Sequence, residues 1–187
     1  MKTNTLPLGR AFEKEVFGIT EEDQEPFFRR PGRRGLNSSI QSVIQNNWAS
    51  FAEALERGLD YCHNPTDPRM GKTHILWSAV KRYLPRRVSG HRSLHLNLYV
   101  AVGRNALDWQ HGVDAFFWWE NVYVTIDVSL IPKEGEELKA DFVVNPEDLD
   151  GQRLSSLGRE IGKLLKERSR HYRRNNQRRG FVVFDPN

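Results

Sequence analysis

The sequence predicts an α/β fold in which helices lie against a β-sheet. Apolar residues recur at helical spacing in three segments, and they alternate with polar residues in two others, between residues 94 and 102 and between residues 122 and 130. The predicted elements follow in the order helix, helix, four strands, helix, strand. A chain of 187 residues is long enough to form one domain with its own core.

Residues 1–37 predict an extended, flexible basic arm, and residues 38–187 predict a single domain. Phe12, Val16 and Phe17 are expected to form only a short amphipathic turn. The stretch from residue 29 to residue 35 combines arginine with proline and glycine, and such a segment does not build a core. Basic arms of this kind are usually mobile until they meet a partner.

Three helices are predicted in the domain. The first is capped by Ser38 or Ser39 and continues to about residue 59, with apolar residues on one side. The second runs from about residue 73 to residue 84, where Pro85 ends it. The third runs from about residue 154 to residue 172, and it turns its apolar residues inward and its arginines outward.

Residues 112–130 predict a hairpin with a tight turn at Glu120 and Asn121. Apolar and polar residues alternate clearly in its second half and over a shorter strand in its first half. That turn places Asp114 directly opposite Asp127. A slip by one residue would put both acids against the apolar row, so the pattern favours this register.

Further strands are predicted around the hairpin. Residues 94–102 alternate most clearly, residues 139–144 form a second candidate, and residues 181–184 are apolar throughout, as in a strand buried in a sheet. The hairpin also contains four consecutive aromatic residues, 116–119. They either stack nucleic-acid bases or, as is more common, divide between the core and a neighbouring element.

Two carboxylates that face each other across a sheet repel, so a pairing of Asp114 with Asp127 needs a physical reason. A divalent cation between them supplies one, because Mg²⁺ binds carboxylate oxygens from one or two residues together with water. The pair therefore indicates a magnesium or manganese site that activates water for phosphodiester hydrolysis. The alternatives are a longer turn, or an acid that is solvated at the end of a strand.

The net charge of +4 conceals three clusters of basic residues. One lies in the predicted arm, one between residues 81 and 92, and one on the last long helix and beyond it. Clustered arginine suits a phosphate backbone and predicts a nucleic-acid partner, whereas the alternative is a solvated helix face with flexible tails. The predicted nucleic-acid-binding residues are Arg29, Arg30, Arg33, Arg34, Arg86, Arg87, Lys166, Arg170, Arg173, Arg174, Arg178 and Arg179.

Composition also limits the expected compartment. The single cysteine, Cys62, excludes an intrachain disulfide and is compatible with a reducing cytoplasm. The first residues lack the apolar stretch of a signal peptide, and no run of residues approaches the length needed to span a membrane. These observations predict a cytoplasmic protein without a membrane partner.

Residues 38–184 resemble the PD-(D/E)XK nuclease superfamily. The segment Gly112–Phe117, which contains Asp114, is similar to the first half of the superfamily's motif, and Thr125–Ser129, which contains Asp127, is similar to the second half. The resemblance implies a restriction-endonuclease-like fold, with a mixed β-sheet flanked by helices. It also implies that the two acids hold one or two Mg²⁺ or Mn²⁺ ions.

The resemblance implies two further groups, and the chain departs from the superfamily at one of them. A glutamate on the first core helix, Glu53 or Glu56, is expected to assist the metal site. The superfamily has a lysine two residues after the second acid, where this chain has Ser129, and a hydroxyl cannot supply that positive charge. Lys139 is expected to replace it in space, and Lys133 is a poorer candidate.

The first functional expectation is a metal-dependent nuclease that hydrolyses phosphodiester bonds in DNA, encoded by a phage or a mobile element. Asp114 and Asp127 would hold the metal, Lys139 would stabilise charge on the scissile phosphate, and the basic clusters would bind backbone phosphates without reading sequence. The alternative is a catalytically inactive nuclease-like protein that binds nucleic acid, or a component of a larger nucleoprotein complex that also contains other proteins.

Overall fold

A computed structural model describes residues 8–18, 35–59, 63–85, 95–101, 106–131 and 139–179. Within these residues the helices are α1 (Leu8–Phe17), α2 (Leu36–Glu56), α3 (Thr73–Tyr83), α4 (Ala106–His111) and α5 (Gly151–Arg179). The strands are β1 (Asn97–Val100), β2 (Ala115–Trp119), β3 (Val122–Val128) and β4 (Phe142–Val144), and a 3₁₀ helix, Pro146–Leu149, precedes α5.

The four strands form one mixed sheet in the order β1-β2-β3-β4. β1, β2 and β3 form an antiparallel meander, whereas β4 is parallel to β3. Helices α1, α3 and α5 contribute to the core on one face of the sheet, and helices α2 and α4 contribute to the core on the other face. The predicted α/β class, with a mixed sheet flanked by helices, is therefore confirmed.

The hairpin of β2 and β3 has the predicted turn. Glu120 and Asn121 both have positive φ angles, 50° and 63°, which is the signature of the type I′ turn that suits the twist of a two-residue hairpin. All five cross-strand pairs have the register predicted from the alternation of residues. Asp114 and Asp127 therefore lie one position beyond the last pair, at the open end of the hairpin.

The aromatic residues of β2 mostly belong to the core. Phe117 and Trp119 are buried in the cluster shared with α1, α3 and α5. Phe116 is buried on the opposite face, where its ring lies 5.2 Å from that of Tyr99, and Trp118 stacks beside Tyr123. The alternating residues of β2 thus fill the core on both faces, and a base-stacking role is excluded for the fully buried phenylalanines.

Helix α1 differs from the prediction of a mobile arm. Its apolar residues Phe12, Val16 and Phe17 are buried in the same cluster as α3 and α5, and the backbone N–H of Lys72 donates to the carbonyl of Val16 at 2.8 Å. Residues 8–18 of the predicted arm therefore belong to the folded unit. Residues 19–34, which carry the arginines of the arm, lie outside the described residues, as do residues 86–94 and 180–187.

Helices α3 and α5 pack closely, because two glycines of α5 face α3. A Cβ atom on Gly158 would lie 2.5 Å from the Cβ of Ala79, so only glycine allows this approach. Helix α5 runs alongside α3 and continues to the turn of the hairpin, where Ser169 contacts Glu120. Among the described helices, none is long and apolar enough to cross a membrane.

Candidate metal and nucleic-acid-binding site

Asp114 is held at the open end of the hairpin by hydrogen bonds to β3. Its N–H donates to the carbonyl of Ile126 at 2.9 Å, and its Oδ2 accepts from the N–H of Val128 at 2.6 Å. The carboxylate thus takes the place of a main-chain acceptor at the point where regular pairing stops. Asp114 is only 5% exposed, so the surrounding backbone sets the orientation of its carboxylate.

Asp127 lies inside β3 and is 6% exposed. It alternates with Ile126 and Val128, which are buried on the α1, α3 and α5 face, so its side chain is on the opposite face of the sheet. The negative charge of Asp127 acts on Asp114 and disfavours its ionised form. The structure therefore brings the two predicted acids together at the same end of the hairpin.

Two more acids act on Asp114 that the sequence analysis missed. Burial raises the pKa of the Asp114 carboxyl well above its usual value, and the charges of Asp108, Asp127 and Glu13 raise it further, while the hydrogen bond from Val128 opposes the shift. Three further carboxylates are therefore close enough to the open end of the hairpin to act on Asp114. A cation bound there would relieve both the desolvation and the repulsion.

Asp108 and Glu13 come from elements that the sequence did not place. Asp108 lies on α4, a six-residue helix that ends before Gly112, whose φ of 57° marks the turn into β2. Gly112 in the sequence is typical of a residue that follows the end of a helix. Six residues are too few, however, to show the helical spacing of apolar residues. Glu13 lies on α1 beside the recognisable apolar residue Phe12, yet nothing in the sequence indicated where that helix would pack.

Lys139, the predicted substitute for the missing lysine, lies beside Gly112, two residues before Asp114. Its aliphatic stem passes the backbone of Gly112, where an added Cβ would lie 3.0 Å from the Cδ of Lys139. The residue is exposed and precedes β4. Ser129 does not fill the lysine's place, because its hydroxyl donates to the carbonyl of Ile131 at 2.8 Å within its own loop.

Glu53 is not brought to the acid pair. Its carboxylate forms an exposed ion pair with Arg57 on α2 at 3.2 Å. Earlier on the same helix, Asn47 donates to the carbonyl of Val100 and accepts from its N–H, and Trp48 reaches the hydroxyl of Tyr99. Glu53 therefore faces solvent beside Arg57, whereas Glu13 of α1 is close enough for its charge to act on Asp114.

The chemistry of the donors fits a hard cation with few protein ligands. Among the described residues, no group of three or more histidine, cysteine, aspartate or glutamate side chains is arranged to hold a metal ion by itself. Asp114 and Asp127 offer carboxylate oxygens, and a hydrogen bond to one oxygen of a carboxylate leaves its other oxygen able to act as a ligand. Mg²⁺ commonly binds to one or two carboxylates and completes its shell with water and phosphate.

The basic residues of α5 divide into two sets. Arg173, predicted to bind nucleic acid, instead pairs with the buried carboxylate of Glu120. Arg168 donates to both oxygens of Asp141 and to the carbonyl of Tyr123. These two arginines attach the helix to the sheet, and their charges are largely neutralised within the protein.

The second set, here called the basic stripe, consists of residues spaced three or four apart on the outer side of α5. Lys166 lies with its ammonium 4.7 Å from the ring centre of Tyr83, and the two members of the stripe that follow it, Arg170 and Arg174, are exposed. Over 15 residues the stripe extends for about 22 Å. Its members are Arg159, Lys163, Lys166, Arg170 and Arg174.

The remaining predicted nucleic-acid-binding residues stay predictions. The structure describes the backbone of α5 at Arg178 and Arg179, but not their side chains. Outside the described residues lie Arg29, Arg30, Arg33, Arg34, Arg86 and Arg87. The basic stripe is therefore the described surface that best matches a phosphate backbone.

Comparison with protein-family models, with curated proteins and with solved structures gave no significant match for this chain. The assignment of function therefore depends on the chemistry of the residues described above.

Proposed function

We propose that the protein is a metal-dependent nuclease that hydrolyses phosphodiester bonds in DNA, built on a variant of the restriction-endonuclease-like fold. The observation that carries the proposal is the buried pair of Asp114 and Asp127 at the open end of the hairpin, with Asp108 and Glu13 close enough to add to the repulsion. Burying like charges together is costly, and a divalent cation bound between the two carboxylates would offset that cost.

The meander of β1, β2 and β3 supports the proposed fold, because it presents both acids at one end of the central strands. The strand expected at residues 181–184 lies outside the described residues. Strand β4, which is parallel to β3 and precedes α5, is an addition to the order of elements in the superfamily.

In the proposed reaction each side chain has a limited role. Asp114 and Asp127 would hold Mg²⁺ or Mn²⁺, which supplies Lewis acidity and neutralises charge on the phosphate. Lys139 would add positive charge beside the scissile phosphate, in the role that Ser129 cannot fill. The hydrogen bond from Val128 would orient the Asp114 carboxylate, so that it need not reorganise when the metal and the substrate bind.

The basic stripe would bind backbone phosphates without reading the sequence of bases. It points outward from the α3 and α5 layer, whereas Asp127 is on the opposite face of the sheet. The stripe would therefore hold nucleic acid away from the cleaved bond, and its loss would weaken binding more than it slows the chemical step.

A second candidate function is nucleic-acid binding without catalysis. One observation favours it, because Asp114 Oδ2 already accepts a hydrogen bond from Val128 and so has a structural role in the sheet. In that case the acid would end the pairing of β2 with β3, and the protein would act as a binding component of a nucleoprotein complex.

Calorimetric titration of Mg²⁺ and Mn²⁺ into the protein, with and without a DNA duplex, distinguishes the two functions. The nuclease predicts binding that is lost in the double variant Asp114→Asn/Asp127→Asn. It also predicts cleavage that falls by about a hundredfold in Lys139→Met, while that variant still binds metal. A folded protein that binds DNA but shows neither metal binding nor cleavage in either titration would overturn the nuclease and favour the binding component.

A further inference from the structure

A pocket of about 700 Å³ lies at the other end of the hairpin, between α3, the start of β1 and the end of β2. Its apolar lining includes Trp77, Trp119 and Leu96, all of them mostly buried residues that present only part of their side chains to the pocket. The indole N–H of Trp77 donates to the carbonyl of Leu96 at 3.1 Å, so this wall is held in place. The volume is in the range of pockets that bind small organic ligands.

The pocket also has a cationic side. Lys81 and Arg82 line it from consecutive positions at the end of α3. The ammonium of Lys81 lies 4.1 Å from the ring centre of Trp77, and Arg82 Nε donates to the carbonyl of Ser78 at 3.3 Å. Both charges are thus positioned by α3, next to the aromatic wall and exposed to solvent.

We infer that this pocket binds a nucleotide, with the base in the apolar part of the pocket and the phosphate at Lys81 and Arg82. Trp77 and Trp119 are 7% and 4% exposed and the Lys81 ammonium covers the ring of Trp77, so the base occupies the pocket without stacking on either tryptophan. An apolar ligand would leave the two cations unused, and an inorganic anion would leave the apolar lining uncovered. A nucleotide satisfies both, because its base is a flat organic group that fills a pocket of this size and its phosphate pairs with lysine and arginine. The ligand is either a free nucleotide or the terminal nucleotide of a single strand.

The pocket is distinct from the acid pair. Trp119 lies five positions after Asp114, a distance of about 17 Å along the extended chain. Trp119 belongs to the core shared with α3 and α5, whereas Asp127 is on the opposite face of the sheet. The inference therefore goes beyond the proposed nuclease and does not depend on the metal site.

Titration of a nucleoside 5′-monophosphate, followed by tryptophan fluorescence and calorimetry, tests the inference on the full chain. We expect saturable binding that is at least about tenfold tighter than for the nucleoside or for inorganic phosphate alone, because each of these probes has only half of the contacts. Tighter binding of a short 5′-phosphorylated single strand than of the mononucleotide would identify a strand end, and equal affinity would identify the free nucleotide. Absence of saturable binding of both ligands would overturn the inference.

Matched variants locate the binding. Lys81→Ala/Arg82→Ala should lose at least about tenfold in affinity, and Ser78→Phe, which fills the pocket but keeps both cations, should lose as much. Arg57→Ala removes an exposed cation at the end of α2 and should bind as the parent does. Equal losses in Arg57→Ala, or full binding in Ser78→Phe with an unchanged melting temperature, would exclude this pocket.

The variant Asp114→Asn separates this inference from the proposed nuclease. It should bind the nucleotide normally although its metal binding is lost. Loss of nucleotide binding in Asp114→Asn would assign the nucleotide to the acid pair and overturn the pocket.

Discussion

Each end of the hairpin holds a buried carboxylate, and the charges that surround the two carboxylates are opposite in sign. At the turn, Glu120 accepts hydrogen bonds from Ser169 and Arg173 of α5. At the open end, the carboxylate of Asp114 accepts a hydrogen bond from the N–H of Val128 and faces the negative charge of Asp108, Asp127 and Glu13. The difference indicates that the first carboxylate is structural, whereas the second retains a repulsion that a bound cation would remove.

A third carboxylate, Asp141, resembles Glu120 and strengthens the contrast. Burial alone would raise the pKa of its carboxyl, but the bidentate pair with Arg168 and the hydrogen bonds from Thr125 hold it below its usual value. Glu120 and Asp141 thus each pair with an arginine of α5, whereas the charges that shift the pKa of Asp114 are those of other acids.

The stabilities of variants at the two ends should be compared near neutral pH. At acid pH, the protonation of another buried group, His63, dominates the change in stability. Burial lowers the pKa of His63 to about 4, although its Nε2 contacts the carbonyl of Leu98. The unfolded chain binds a proton near pH 6.5, so the stability that depends on a neutral His63 is complete above that pH and is lost as pH falls toward 4.

The free energy of unfolding should therefore decrease by up to about 3 kcal/mol between pH 6.5 and pH 4. Urea denaturation across this range measures the loss, and NMR titration of the imidazole identifies the group. A His63 that titrates near pH 6.5 in the folded protein would contradict the prediction.

Removing the partner of the paired carboxylate should be the next largest effect. Arg173→Ala leaves the carboxylate of Glu120 buried without its cation, and we expect a loss of about 2 kcal/mol, less than for a fully buried pair because Arg173 is half exposed. Arg174→Ala, its exposed neighbour, should change stability by less than about 0.5 kcal/mol. Similar unfolding midpoints for the two variants would show that the pairing with Glu120 contributes nothing.

A substitution at the open end is expected to increase the free energy of unfolding rather than decrease it. Asp114→Asn removes one of the repelling charges but keeps an oxygen that accepts from Val128, so it should stabilise the metal-free protein by about 1 kcal/mol at pH 7.5. Because the pKa of Asp114 is raised by folding, its contribution to stability is complete below its usual pKa and is lost as pH rises through the folded pKa. The gain in the variant should accordingly disappear in acid.

Asp141→Asn is the matched control for this change, since it alters a paired carboxylate in the same way. It should be destabilised by about 1 kcal/mol, because the ion pair with Arg168 is weakened. Thermal or chemical unfolding of the two variants side by side measures the expected gain in stability for Asp114→Asn and the expected loss for Asp141→Asn. Destabilisation in both would mean that Asp114 is a structural residue like Asp141.

The smallest expected effect concerns the basic stripe of α5. Arg170→Ala/Arg174→Ala removes two charges of the basic stripe, so the slope of log affinity for duplex DNA against log salt concentration should become shallower by about 2. Arg153→Ala, which removes an arginine paired with Asp150 at the start of the helix, should leave the slope unchanged. Fluorescence anisotropy at several salt concentrations measures both, and equal slopes for all three proteins would exclude the stripe as the phosphate contact.

The hairpin could be predicted because its pattern is local. Side chains alternate between the two faces of a strand, so the sequence determines the face of every residue. A shift of the pairing register by one residue would have exposed the apolar row. The relative positions of Asp114 and Asp127 therefore followed from the sequence. The glutamate whose charge acts on Asp114 could not be predicted in the same way. Glu53 and Glu13 both lie on amphipathic helices, and only the packing of those helices determines which one approaches the acids.

By itself, the sequence determined the α/β class, the turn at Glu120 and Asn121 and the pairing of the two acids, because hydrophobic periodicity and chain connectivity act over a few residues. Tertiary structure alone decided that α1 joins the core, that Arg173 is neutralised while Arg174 is exposed, and that Asp108 adds to the repulsion at Asp114. These outcomes depend on electrostatic and packing contacts between residues that are distant in the chain or on different faces of one helix, and such contacts have no local pattern.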